Sequence, residues 1–118
     1  MSDKTVYQID IPDTVKIFCH KYNYDITHPI VTEIYNHVLS LVDQHIFNDD
    51  AEAISKKLDY ISQTIGVNFL TNEDRLDFIL VLAGLLKLLT EFVVSQGLVS
   101  VLRYASYVIN DNVIIELE

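Results

Sequence analysis

Cysteine, glycine, proline and cations are all scarce in this chain, and tryptophan is absent; each shortage excludes something. With Cys19 alone no internal disulfide forms, which excludes the disulfide-built secreted scaffolds and fits a reducing cytosol. Three glycines and two prolines across 118 residues leave little for loops, so long regular elements with short connections are expected. Eight Lys and Arg stand against seventeen Asp and Glu, a formal charge of −9. Nucleic-acid binding needs a cationic footprint that displaces counterions from phosphates, and the longest basic run is Lys56-Lys57. Direct binding to DNA or RNA, or to an anionic membrane surface, is therefore not expected.

Long uncharged runs are missing as well. The most apolar stretch, Phe78 to Leu102, is free of charge only from Phe78 to Leu86 before Lys87, against about 20 residues for a bilayer span. A buried core helix is the better expectation. The opening Met-Ser-Asp-Lys-Thr-Val has neither a basic nor an apolar leader region, so a cytoplasmic location is expected.

Half of the residues are apolar, enough to build a core and too many for a disordered chain. With no linker-like stretch and no internal repeat, one helical domain over 1–118 is expected. Thr5–Ile11 alternates, with Tyr7, Ile9 and Ile11 on one side, as in a half-buried strand. Asp13–Tyr22 carries Val15, Phe18 and Tyr22 at helical spacing. A longer helix is predicted from His28 to Phe47, capped by Thr27, with Ile30, Ile34, Val38, Leu41 and Val42 along one stripe. A third is predicted over Ala51–Ile65, closed by Gly66.

The fourth, Asn72–Ser95, starts at a capping pair, Thr71 and Asp74. It is apolar almost all round apart from a thin line through Asp77, Gly84, Lys87, Glu91 and Ser95, which predicts the centre of a bundle. Leu98–Ile109 reads as a fifth helix, with the alternative that Tyr104–Ile109 is one arm of a hairpin turning at Asn110-Asp111. Asn112–Glu118 reads as a strand. The expected fold is thus mainly α, a compact bundle of four to five helices. Short terminal strands either pair with each other or offer an edge to a partner.

The search for chemistry finds little. There is no His-Glu-x-x-His string for zinc, no glycine-rich phosphate loop, and no Gly-x-Ser-x-Gly nucleophile turn. Neither Arg75 nor Arg103 is followed by a histidine, which removes the Arg-(four to six residues)-His pattern of helical ribonucleases. Glu33, His37 and His45 fall near one face of the predicted second helix, and a solvated face accounts for them more simply than a metal site. Cys19 beside Phe18 reads as a small buried hydrophobe. No catalytic residue, metal or cofactor is expected.

What remains is the acidity. Carboxylates gather at Asp43, Asp49, Asp50 and Glu52, again at Glu73, Asp74 and Asp77, and at the C-terminus at Asp111, Glu116 and Glu118. Asp49, Asp50, Glu52, Glu73 and Asp74 lie at predicted helix starts, where the helix dipole favours a negative charge by about 0.3–1 kcal/mol. The charge-poor segment Leu98–Ile109, with Tyr104 and Tyr107, has the make-up of an interface centre. Together these features suggest a non-catalytic protein-binding domain with a basic partner, of the kind represented by an immunity protein or antitoxin that occludes a nuclease-type toxin. The alternatives are a homodimeric helical adaptor joined through Leu98–Ile109, and a phage-type inhibitor that imitates nucleic acid.

Overall fold

The computed structural model describes residues 5–97 and 103–117. In chain order the elements are β1 (Thr5–Asp10), α1 (Asp13–Lys21), α2 (Pro29–Asp43), a 3-10 turn (Ile46–Asn48), α3 (Ala51–Thr64), α4 (Asn72–Ser95), β2 (Arg103–Ile109) and β3 (Asn112–Leu117). The fold is mainly α, four helices among the described residues, joined to a three-stranded antiparallel sheet.

The helix starts follow from local chemistry. Asp50 caps α3 by accepting the Ala53 N–H at 2.8 Å, and Thr71 caps α4 by accepting the Asp74 N–H at 3.1 Å. The cap of α2 lies one residue beyond the expected Thr27. His28 Nδ1 accepts the Ile30 N–H at 3.0 Å, while the Thr27 N–H and hydroxyl both donate to Asp25. Asp25 thus draws Thr27 into a turn and leaves His28 at the helix entrance. Gly66 and Gly97, at φ +78° and +66°, end the last two helices in the left-handed conformation that glycine takes without steric cost.

Two expectations are corrected. The second helix stops at Asp43 rather than Phe47, because His45 turns left-handed at φ 55° and sends Ile46 back into the core, fully buried. The expected fifth helix is a strand where it is described. Arg103–Ile109 is rich in tyrosine and β-branched residues, which suit a pleated surface. Asn110 and Asp111, at φ 50° and 61°, form the two-residue turn whose handedness matches twisted strands. Leu98–Leu102 lie outside the described residues.

Strand order is β1-β3-β2, so the terminal strands do pair, Tyr7 opposite Ile115 and Ile9 opposite Val113. Tyr104 is an extra residue between the Arg103–Leu117 and Ala105–Glu116 pairs, a bulge. Val113 and Ile115 point into the core without exposure. The Tyr7 ring meets Phe92 of α4 edge-on at 5.0 Å, which fastens the sheet to the helices.

The core itself is built on α2 and α4. Ile34, Tyr35, Val38 and Leu39 of the first pack with Phe78, Leu82, Leu85 and Leu89 of the second, all nearly or fully buried. Burial of each such side chain stabilises the fold by about 1.5–3 kcal/mol relative to exposure. Phe78 is stacked on Phe18 of α1 at 4.5 Å, and Phe69 stands beside it at 5.4 Å. By contrast α3 buries only Leu58, Ile61 and Ser62 of its fourteen residues. It lies antiparallel to α4, since Arg75 pairs with Asp59 while Ile54 shares a cleft with Lys87 and Glu91.

Helix α4 is long and apolar enough to cross a membrane by length and composition, but one side of it forms the core with α2. The other side is open. Leu76, Leu80 and Leu88 are 54%, 69% and 49% exposed, so the helix is not enclosed all round as its sequence suggested.

Candidate functional site

The first two groups of carboxylates lie at different levels of α3, one at its N-terminus and the other at the start of α4, where Arg75 pairs with Asp59 in the second half of α3. In the first group Asp49 faces Lys57 at 3.4 Å and Glu52 faces Lys56 at 3.3 Å. Asp50 is occupied by its cap, and Asp43 is half-buried at the end of α2 with a partner of its own. Most of this charge is balanced locally.

The second group differs. Asp74 is anchored: Lys21 of α1 donates to it, and this contact, helped by Thr71, holds its carboxyl below the usual range. The same contact raises the Lys21 ammonium. Glu73, immediately before Asp74, and Asp77, about one turn on, are exposed and form no salt bridge among the described residues, although Asp77 adds to the field that raises Lys21. Asp77 borders a groove of about 160 Å³ between α1 and α4, with Ile17 and Thr14 on the α1 wall and Val81 on the α4 wall. Ile17 is 66% exposed, because α1 turns Val15, Phe18 and Cys19 inward and leaves position 17 on the far side.

Asp77 and Glu73 therefore run between two exposed apolar patches, Ile17 with Val81 on the α1 side and Leu76 with Leu80 on the other. The sequence offered one clue to it. The thin polar line through Asp77, Gly84, Lys87 and Glu91 runs along the middle of the open face, so the leucines on either side of that line share its exposure.

Tyr107 is 41% exposed on β2, away from this surface, and the side chain of Tyr104 lies outside the described residues. Tyr107 therefore stands apart from the carboxylates.

Other chemically active side chains sit apart. Cys19 is buried, and burial pushes its thiol up, away from the thiolate form a nucleophile needs. His28 is used as a helix cap, and His45 lies beyond the end of α2, off the line of Glu33 and His37. Among the described residues no group of three His, Cys, Asp or Glu side chains is placed to hold a metal ion. A cleft of about 360 Å³ between α2 and α3 is floored by Leu41 and Ile61 and flanked by Tyr60 and the stems of Lys56 and Lys57. Its lysines are those already facing Glu52 and Asp49.

Comparison with protein-family models, curated proteins and solved structures returned no match.

Proposed function

We propose that this chain is a non-catalytic binding protein for a basic protein partner, acting as an immunity protein or antitoxin that covers the cationic active site of a nuclease-type toxin. The observation that carries the reading is the α1–α4 surface, where the exposed carboxylates Glu73 and Asp77 stand between the exposed Ile17 on one side and Leu76 and Leu80 on the other. Opposite charge accelerates encounter, and desolvation of aliphatic side chains then slows release. A nuclease active site is lined with cations that hold phosphate, so carboxylates presented on a firm helix occupy it without being cleaved. Imitation of nucleic acid is the weaker alternative. A duplex shows about one charge per 1.7 Å, and here the acids are gathered in separate groups rather than in a continuous row.

The test is capture from the source cells at low salt, with the wild-type chain and a Glu73→Lys/Asp77→Lys variant as baits. The expected result is a strongly basic partner that elutes as salt rises and is lost by the variant. If that partner is a nuclease, an equimolar amount of this chain abolishes its activity. Recovery of neutral or acidic partners only, or capture indifferent to the charge reversal, refutes the proposal.

A further inference from the structure

Among the described residues nothing requires glycine at position 84. It stands in the middle of α4, and a Cβ built there meets no atom within 4 Å. Glycine is the poorest helix former after proline, so the position gives up helix stability with no packing gain inside the chain. It belongs to the row Leu76, Leu80, Gly84, Leu88, spaced by four and exposed along its length.

Side chains four apart form a ridge inclined to the helix axis. A second helix packs its own ridge alongside such a row at a crossing angle of about −50°. A missing side chain within the ridge is the place where two helix backbones approach most closely. The charges on the same face are Glu73, Asp77 and Glu91 against Lys87, all exposed, so this surface is net acidic.

From this ridge we infer that α4 docks an amphipathic helix of the partner protein, crossing at Gly84. A large apolar side chain fills the gap left by the glycine, and lysines or arginines flank it. This rests on the basic-partner reading and specifies how that partner is held. A second copy of the chain fits less well. It joins two bodies of charge −9 through faces that are each net acidic. A bilayer fits less well again, since the four charges on the face would lose their water.

The probe is a labelled synthetic helix of about 18 residues, leucine on one face and lysine on the other. It is titrated against the intact chain by fluorescence anisotropy at about 50 mM and 300 mM salt. A version with glutamate for lysine serves as the control. The lysine peptide binds and weakens with salt, and the glutamate peptide does not bind. Gly84→Leu weakens the lysine peptide about tenfold or more by filling the gap, while its melting temperature stays at or above that of the wild type. Glu52→Lys, at the other acidic group, changes binding less than about twofold, as expected of a distant rim charge.

The inference is overturned if the lysine peptide fails to bind, if the glutamate peptide binds equally, or if Gly84→Leu binds like the wild type. It is also overturned if the chain alone sediments as a dimer that Gly84→Leu dissociates, or if neutral phosphatidylcholine vesicles retain the chain. In the capture experiment, loss of the basic partner with Glu73→Lys/Asp77→Lys but not with Gly84→Leu leaves that reading standing and removes only the helix crossing.

Discussion

Tyr35 sits at the centre of the core with no exposure, and its hydroxyl has no hydrogen-bond partner among the described residues. A buried hydroxyl left unpaired costs about 1–3 kcal/mol. Tyr35→Phe keeps the ring and removes that cost. The void left by one oxygen subtracts only a few tenths of a kcal/mol, at about 24 cal/mol per Å³. A net gain of about 1 kcal/mol is expected. At roughly 2.1 cal/mol/K per residue, 118 residues unfold with an entropy near 250 cal/mol/K, so Tm rises by about 4 °C.

The same substitution has a pH signature. Burial raises the Tyr35 phenol far above its ordinary value, so in alkali the unfolded chain ionises first. The stability that this shift contributes is therefore fully present below about pH 10 and is lost at about 1.4 kcal/mol for each pH unit above it. Tyr35→Phe lacks that loss, and its advantage at pH 11 exceeds its advantage at pH 7 by about the same amount. Calorimetry at neutral pH and urea midpoints at both pH values measure the two effects. A fall in Tm at neutral pH would refute the reasoning, because it would mean that the hydroxyl is paired.

Three further outcomes are expected. Thr71→Ala removes the cap of α4 and costs about 1 kcal/mol, read as a Tm lower by about 4 °C; no change would mean that the Asp74 N–H finds another acceptor. Asp74 is held low by Lys21, so the stability it adds is present at neutral pH and lost as pH falls below about 4. Lys21→Met shrinks the difference between urea midpoints at pH 7 and pH 3, and an unchanged difference would remove this ion pair from the account. Ile115→Ala opens a cavity where the sheet meets the helices and costs about 2–5 kcal/mol by urea unfolding. A loss below about 1 kcal/mol would mean that the sheet is not part of the cooperative core.

The start of α4 was legible because its cause is local, three residues from Thr71 to Asp74. The stripe of α2 and the alternation of β1 were legible for the same reason, as side-chain direction follows from spacing. His45 was not, since a left-handed histidine depends on what draws Ile46 inward. The stretch 103–109 fits both periods, and only its pairing with 112–117 decides between them. The candidate surface was hidden for a different reason. An all-apolar helix looks enclosed, and whether Leu76 and Leu80 have neighbours depends on how few helices surround α4. Likewise the carboxylates of the first two groups formed two clusters in sequence, but their separation in space follows from the antiparallel packing of α3 on α4.

The order of the strands sets a timetable for folding. β3 lies between β1 and β2, so the first strand to leave the ribosome must wait for the last one described before it has a neighbour. The helices can assemble meanwhile, whereas the Thr5–Leu117 and Tyr7–Ile115 pairings close a loop of almost the whole chain. Until then β1 is an unpaired edge with Val6 and Tyr7 on its two faces, the state in which nascent chains find one another instead. A release of the chain that stops short of residue 112 leaves both flanking strands without a centre, so a C-terminal truncation of a few residues should show up as aggregation during synthesis rather than as a small loss of melting temperature.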